Sequence, residues 1–301
     1  MRRSVLLAGL IVTALPTIVG SAERAVVPKS PSPRPLRVMS MNQCTDQIVL
    51  ALLPPERIAS VSWLARDPDG SLMYREAARV GINHGLAEEV LRQRPDLVIV
   101  GSVTTSATRG LLRRLRYPMI EVDHPGSFEA IRTATRQIAK AVGEQARGEA
   151  LLARMDRDLA ELAHHPGPPL RVAAWDSAGF SATKGSLFDA VLGAAGAVNV
   201  ANEPPTSAYG KPDTEILLLT APTLLVKGAG IVRAPGMHDN VDRHPVIRRY
   251  WDGIRTLTIP QAYYACGTPN VAEAALALRQ ELRAAARQIH TPLPFSPGEH
   301  L

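Results

Sequence analysis

A long amphipathic helix predicted over residues 143–165 is the feature that most constrains the fold. Its apolar positions recur at spacings of four, four and three residues, so they form one helical stripe. These positions are Leu151, Met155, Leu159 and Leu162. A helix of about 20 residues spans about 30 Å, which is roughly the width of a small domain. We therefore interpret this helix as a connection between two lobes.

Strand and helix patterns alternate on both sides of this helix, which predicts parallel sheets covered by helices. The sequence RPDLVIVG at residues 94–101 is the clearest strand, and TLLVK at residues 223–227 is its counterpart in the second half. We predict an α/β fold of two lobes with parallel-sheet cores, joined by one long backbone helix, with a cleft between the lobes. The N-terminal lobe is expected at residues 37–142 and the C-terminal lobe at residues 168–290. The alternative is a single α/β domain with an ordinary surface helix.

Residues 1–22 have the pattern of a secretory signal peptide, with two arginines, an apolar run and small residues before a cleavage site expected after Ala22. A membrane anchor is the alternative, but the apolar run is shorter than the ~20 residues of a membrane span and contains Pro16. Residues 23–36 carry four prolines and read as a flexible leader. The tail at residues 291–301 has a similar composition. We expect an exported, soluble product.

Charge and composition argue against several classes of protein. The formal net charge is +6 for the whole chain, and the basic residues are dispersed without interleaved aromatic residues, so we expect no nucleic-acid partner. The GxSxG and HExxH motifs are absent, which disfavours an exported hydrolase. The eight histidines include no pair at the i, i+4 spacing of a helical metal site, so we predict no site for a bare metal ion.

Four sequence blocks, taken in order, resemble a known family. The chain is similar to the helical-backbone periplasmic binding proteins of ABC importers that handle ferric siderophores, haem and cobalamin. The blocks are RVMSMNQCTDQI at 37–48, RVGINHGLAEEVLRQRPDLVIVG at 79–101, GSLFDAVLGAAGAVNVA at 185–201 and HPVIRRYWDGIRTLTIP at 244–260.

The resemblance implies a monomeric periplasmic receptor, without enzymatic activity or cofactor, that binds its ligand between the lobes. The implied ligand is a metal chelate, such as a ferric siderophore, or a corrinoid, such as cobalamin. The implied partner is the permease and ATPase complex of an ABC importer, whose subunits must be other chains because this one has no phosphate-binding GxxxxGK[ST] motif. A scaffold or sensor built on the same binding fold is the alternative, and an exported hydrolase is a more remote one.

Ligands of open parallel sheets bind beyond the carboxyl ends of the strands, so the loops there supply the candidate ligand contacts. The candidates offer an aromatic face or a hydrogen-bond donor, and the basic ones can pair with carboxylates of an anionic chelate. They are Asn42, Gln43, Trp63, Arg66, Thr104, Tyr209, Lys211, Arg233, Tyr263 and Tyr264. The low aromatic content, 4%, leans slightly away from haem and catecholate siderophores.

In the family that the chain resembles, each lobe presents a glutamate that docks onto arginines of the permease. The resemblance assigns this role to Glu88 and Glu215, with Glu89 replacing Glu88 if the alignment shifts by one residue. Exposed carboxylates in the first turn of a helix are stabilised by the helix dipole and can pair with a partner's arginines. The simpler alternative is that both glutamates only stabilise their own helices.

The two cysteines, Cys44 and Cys266, fall on predicted strand-end loops of different lobes. An exported protein meets an oxidising environment, so a disulfide that ties the lobes across the cleft is the leading prediction. Two packed free thiols and thiolate ligation of a metal are the alternatives. A cysteine at position 44 is a departure from the family pattern.

Overall fold

Two α/β lobes, each built on its own sheet, make up the part of the chain that the structure describes. The structure is a computed structural model that describes residues 36–102, 104–176, 179–180, 182–204, 214–229 and 244–297. The predicted α/β fold with two parallel-sheet cores is confirmed. The predicted signal peptide and all but the last residue of the predicted leader lie outside the described residues.

The N-terminal lobe contains a five-stranded parallel sheet in the order β3-β2-β1-β4-β5. Its strands are β1 (Val38–Ser40), β2 (Ile58–Ser62), β3 (Ile82–Asn83), β4 (Leu97–Gly101) and β5 (Met119–Val122). Its helices are α1 (Gln43–Leu52), α2 (Tyr74–Ala77), α3 (Ala87–Gln93), α4 (Ser106–Arg114) and α5 (Phe128–Val142). Every residue of β4 is buried, as expected for a strand that pairs with a neighbour on each side in a sheet whose two faces are covered.

The connecting helix α6 runs from Gln145 to His164. It begins later than the apolar pattern suggested because Gly143, with a φ of +75°, ends α5 instead. Leu151 packs against the core of the N-terminal lobe, whereas Leu152 and Met155 belong to the core of the C-terminal lobe. The same helix therefore contributes side chains to the cores of both lobes and connects them, as predicted.

The C-terminal lobe has strands in the order β10-β9-β6-β7, with β8 paired to the start of β6. These strands are β6 (Arg171–Asp176), β7 (Gly179–Phe180), β8 (Val198–Asn199), β9 (Leu224–Ala229) and β10 (Thr256–Pro260). Its helices are α7 (Leu187–Ala194), α8 (Thr214–Thr220), α9 (Pro245–Tyr250) and α10 (Val271–Gln288). The short strand β7 is antiparallel to β6, because only two residues separate the strands and a parallel pair needs a long crossover.

The C-terminal tail, whose composition is similar to that of the leader, packs in part against the C-terminal lobe. Phe295 is buried, and its ring packs edge-on against Tyr250 and Trp251 at centroid distances of 5.1 and 5.9 Å. Burying a phenylalanine ring stabilises the folded state by about 1.5–3 kcal/mol, which is enough to hold a proline-rich segment against α9. Within the described residues, the helices are all too short or too polar to cross a membrane.

Candidate ligand-binding cleft

All five strands of the N-terminal sheet end at one cavity of about 300 Å³, here called the strand-end cavity. Each strand leads into a loop that supplies at least one wall residue, as expected for a ligand site of a parallel sheet. In the order β1 to β5 these residues are Asn42, Trp63, His84, Thr104 and His124. The C-terminal lobe closes the cavity with Ala265 and Cys266. The cavity therefore lies between the lobes, where the cleft was predicted.

Asn42 shapes the cavity wall because it caps helix α1. Its side-chain oxygen accepts hydrogen bonds from the N–H groups of Cys44 and Thr45 at 3.0 and 3.4 Å, which satisfies donors that the first turn leaves unpaired. The end of β4 makes room for this cap. A Cβ atom at Gly101 would lie 2.6 Å from Cγ of Asn42, so only glycine fits there.

Gln43 and Thr104 line the cavity, but their polar groups also hold the surrounding loops. The Gln43 amide donates to the carbonyl of Gly70 at 2.8 Å. The Thr104 hydroxyl donates to the carbonyl of Met41 and accepts from the N–H of Gly101, both at 3.2 Å. These two predicted ligand residues therefore stabilise the cavity walls.

Trp63 offers the largest apolar surface at the cavity, since 51% of it is exposed. It follows Ser62, whose N–H and hydroxyl both donate to the carboxylate of Asp46 on α1. Asp46 is completely buried, and burial raises its pKa to about 7 although hydrogen bonds from Ser40 and Ser62 oppose the shift. The position of the tryptophan is thus tied to a buried acid that changes charge near neutral pH.

His84 is held by a buried carboxylate on helix α3. The backbone N–H of His84 donates to Oε2 of Glu89 at 2.8 Å, and Nδ1 lies 3.2 Å from Oε1 of the same group. Burial alone would raise the pKa of Glu89, but the N–H groups of His84 and Leu86 and the His84 ring outweigh it, so the pKa lies below its usual value. Glu89 is therefore ionised and accepts at both oxygens.

The cavity wall also contains the disulfide between Cys44 and Cys266, whose Cα atoms are 4.8 Å apart. Nδ1 of His124 lies 3.8 Å from the sulfur of Cys44. Two further contacts between the lobes involve residues close to Cys266 in the sequence. The N–H of Ala262 donates to the carbonyl of Asp69 at 2.7 Å, and the backbone of Gly267 approaches Pro125 so closely that a Cβ would lie 2.1 Å from its carbonyl oxygen.

Three predicted ligand residues lie elsewhere. Arg66 donates to the carbonyls of Ala77 and Val80. The ring of Tyr264 stacks on Phe188 at a centroid distance of 3.9 Å, and Tyr263 lines a separate groove with Leu72 and Asn270. Three further candidates, Tyr209, Lys211 and Arg233, lie outside the described residues.

His84 and His124 were missing from the sequence-based candidates, although they line the cavity. Their spacing to other histidines gives no sign of a site. Their positions in the sequence could have identified them, because His84 comes one residue after the end of β3 and His124 comes two residues after the end of β5.

Of the two consecutive glutamates on α3, Glu88 is exposed and Glu89 is buried. Glu88 is flanked by two leucines that are also exposed, Leu86 at 53% and Leu91 at 43%. Glu215 is exposed in the first turn of α8. Each lobe therefore carries a surface carboxylate at the start of a helix.

The cavity wall mixes aromatic and polar side chains. Among the described residues, no three His, Cys, Asp or Glu side chains are grouped so that they can hold a metal ion. The wall instead combines an indole, two imidazoles, amide and hydroxyl groups.

Solved structures with the same fold include three binding proteins that differ in their ligands. The periplasmic heme-binding protein RhuT from Roseiflexus sp. RS-1 is 22% identical, with a TM-score of 0.66 over 83% of this chain and 98% of that one. The vitamin B12 binding protein BtuF of Vibrio cholerae is 17% identical, with a TM-score of 0.58 over 84% and 99%. The molybdate binding protein MolA of Haemophilus influenzae is 16% identical, with a TM-score of 0.65 over 87% and 90%.

Identities in this range support a common fold. A search of curated protein sequences finds no significant match. The sequence model of a family described as periplasmic binding protein matches residues 38–250, which is well over half of the chain. The protein therefore belongs to the periplasmic binding protein family.

Proposed function

We propose that the protein captures a metal chelate or a corrinoid in the strand-end cavity and delivers it to the permease of an ABC importer. The observation that carries this proposal is the cavity itself, which lies between the lobes and presents Trp63, His84 and His124. An exposed indole suits the flat face of a conjugated or apolar ligand, and imidazoles are common ligands of metal centres.

The size of the cavity supports a small organic ligand. Small-molecule sites in proteins occupy about 300–1,000 Å³, and the strand-end cavity lies at the lower end of that range at about 300 Å³. The related solved structures are those of a heme-binding, a vitamin B12 binding and a molybdate binding protein. Haem and vitamin B12 are themselves metal chelates and agree with the aromatic and imidazole groups of this cavity.

For delivery, we assign permease docking to Glu88 and Glu215. Each is exposed in the first turn of a helix, one on each lobe, so the pair can contact both halves of a permease at once. The apolar surface of Leu86 and Leu91 beside Glu88 adds area that a salt bridge alone does not provide.

The test is a thermal-shift screen of the protein without residues 1–22, under oxidising conditions, against ferric haem, aquocobalamin and ferric siderophores. A ligand at 100 times its dissociation constant stabilises the folded state by about 2.7 kcal/mol, which is readily measured as a rise in melting temperature. The bound ligand should be recovered chemically unchanged, since we assign no reaction to this site. Absence of a shift with all three classes contradicts the proposal.

A further inference from the structure

We propose that the disulfide between Cys44 and Cys266 is a redox latch. Small thiols that enter the strand-end cavity reduce it, which frees the lobes to move apart, and reoxidation holds the lobes together again. The latch goes beyond the proposed function and does not depend on the identity of the ligand. It follows from the place of the bond between the lobes, from the surroundings of Cys44 and from access through the cavity.

The disulfide is one of two covalent connections between the lobes in the described part of the chain. The other is helix α6, which contributes side chains to both cores. Beside Cys266, the N–H of Ala262 donates to the carbonyl of Asp69 at 2.7 Å, and Gly267 lies against Pro125. One hydrogen bond adds little net stability, so these contacts are weak without the covalent bond. Reduction therefore leaves α6 as the remaining covalent connection, about which the lobes can pivot.

The surroundings of Cys44 stabilise its thiolate. Cys44 lies in the first turn of α1, where the partial positive charge of the helix N-terminus favours an anion. Nδ1 of His124 is 3.8 Å from the sulfur of Cys44, so a protonated Nδ1 can donate to the thiolate. Cysteines at helix N-termini or beside histidine form thiolates more readily than free cysteine, and such a sulfur leaves faster in thiol–disulfide exchange.

The partner sulfur lacks the helix position. Cys266 lies in the loop between β10 and α10, five residues before the helix begins. We therefore assign Cys44 as the leaving group and Cys266 as the sulfur that the incoming thiolate attacks.

The strand-end cavity gives access to the bond. Both cysteines line this cavity, although only 7% of Cys44 and 2% of Cys266 is exposed. A cavity of about 300 Å³ admits a small molecule, whereas a folded oxidoreductase is too large to enter. The reductant class is therefore a low-molecular-weight thiol.

Two thiols reduce the latch in two exchange steps. A thiolate attacks Sγ of Cys266, the S–S bond breaks, and its electron pair passes to Sγ of Cys44, which takes a proton from His124 or water. A second thiolate attacks the sulfur of the bound thiol, and Cys266 leaves and takes a proton from water. The protein gains two electrons and two protons, and the two thiols become one disulfide. A disulfide of the same class reverses both steps.

The first experiment measures the reduction of the native protein without residues 1–22 by glutathione. Samples are quenched with iodoacetamide in denaturant and analysed by mass spectrometry. We expect the intermediate to carry glutathione on Cys266 and the alkyl group on Cys44. His124→Ala should slow the reduction about 10-fold, because the leaving thiolate loses its neighbouring donor.

His290→Ala is the matched control, since His290 is an exposed histidine beyond the end of α10, and it should be reduced at the wild-type rate. Glutathione on Cys44 overturns the assignment of the leaving group. Equal rates for His124→Ala and the wild type overturn the role of His124.

The second experiment measures lobe opening by amide hydrogen exchange, read by NMR. The N–H of Ala262 reports the contact between the lobes, and the N–H of Val98, which donates to the carbonyl of Pro118 at 2.9 Å, reports the N-terminal sheet. After reduction we expect Ala262 to exchange at least about 10-fold faster while Val98 stays protected, as in a local opening. The double variant Cys44→Ser and Cys266→Ser should show the same pattern without a reductant.

Three results overturn the latch. The first is a bond that glutathione reduces only after the protein is unfolded in urea, which identifies a purely structural disulfide. The second is unchanged exchange at Ala262 after reduction. The third is loss of protection at both Ala262 and Val98, which shows unfolding and not lobe opening. None of these measurements uses a ligand, so each result leaves the receptor proposal standing.

Discussion

Cys44 and Cys266 join the two lobes covalently at the wall of the strand-end cavity, although 222 positions separate them in the sequence. Cys44 lies in the first turn of α1, and Cys266 follows the last strand of the C-terminal sheet. The bond closes a very long loop of the unfolded chain.

Removal of this bond should destabilise the protein. We expect Cys44→Ser combined with Cys266→Ser to lower the free energy of unfolding by about 2–4 kcal/mol, because a disulfide restricts the unfolded ensemble. Urea denaturation under oxidising conditions measures the difference. A reductant should lower the stability of the wild type and leave the double variant unchanged, and equal stability of the two proteins would contradict a stabilising role.

The buried Asp46 should make stability depend on pH. Its pKa is raised from 3.8 in the unfolded chain to about 7 in the folded protein, so the folded state binds more protons between these values. Its contribution is present below about pH 4, falls as the pH rises to about 7 and is constant above that, with a total loss of up to about 4 kcal/mol.

Asp46→Asn isolates this contribution, since the amide is nearly isosteric and carries no charge. The difference in unfolding free energy between the variant and the wild type should rise in favour of the variant from pH 4 to 7. Chemical denaturation at several pH values measures it. A difference that stays constant over this range is the opposing result.

Trp63 should contribute to ligand affinity and little to folding. Because half of its surface is exposed, Trp63→Ala should change the melting temperature only slightly but weaken chelate binding by about 10-fold, which corresponds to about 1.4 kcal/mol. Ile254→Ala is the control, since Ile254 is 52% exposed and lies in the C-terminal lobe, outside the cavity wall. Equal affinities of the two variants would rule out contact with Trp63.

Substitution of the two docking glutamates should impair transport without affecting chelate binding. We expect Glu88→Ala combined with Glu215→Ala to retain chelate affinity but to lose most uptake in cells that carry the cognate importer. Glu129→Ala is the control, because Glu129 is an exposed acid in the first turn of α5. Normal uptake by the double variant would favour the scaffold or sensor alternative.

Gly148 should be essential for the contact between α5 and α6. A Cβ at this position would lie 2.6 Å from the Cβ of Ala139, so Gly148→Ala should lower the free energy of unfolding by about 1–3 kcal/mol. Gly110→Ala is the matched control within a helix, since nothing lies within 4 Å of the added atom. There the substitution should raise the unfolding free energy by about 0.5–1 kcal/mol. Similar effects at both sites would contradict the close approach of the helices.

The fold was largely predictable because buried strands and amphipathic helices leave strong periodic patterns. The exceptions have specific causes. The helical stripe included Leu151 but not Leu152, since α6 packs on two cores and therefore buries more than one face. The packing of Phe295 was missed because its proline-rich surroundings resemble a linker. The only aromatic residue of this segment is the one that packs against the C-terminal lobe.

The site was predictable to the level of its loops but not of its side chains. Sheet topology places Asn42, Gln43, Trp63 and Thr104 at the cavity, as their strand-end positions suggested. The direction of a loop side chain depends on local hydrogen bonds, which is why Arg66 turns towards backbone carbonyls instead. The sequence analysis looked for histidine pairs at helical spacing. The cavity instead brings together residues that follow different strands and are far apart in the sequence.

Five strands end at one cavity, and the residues that face this cavity are different from those that form the core of the sheet. Trp63, His84 and His124 are exposed and lie within two residues of their strand ends, whereas the strands themselves are mostly buried. Under the proposed function, exchange of these three side chains changes ligand recognition and leaves the packed sheet unchanged. Under that function, point substitutions at these exposed positions can change the ligand at little cost in stability.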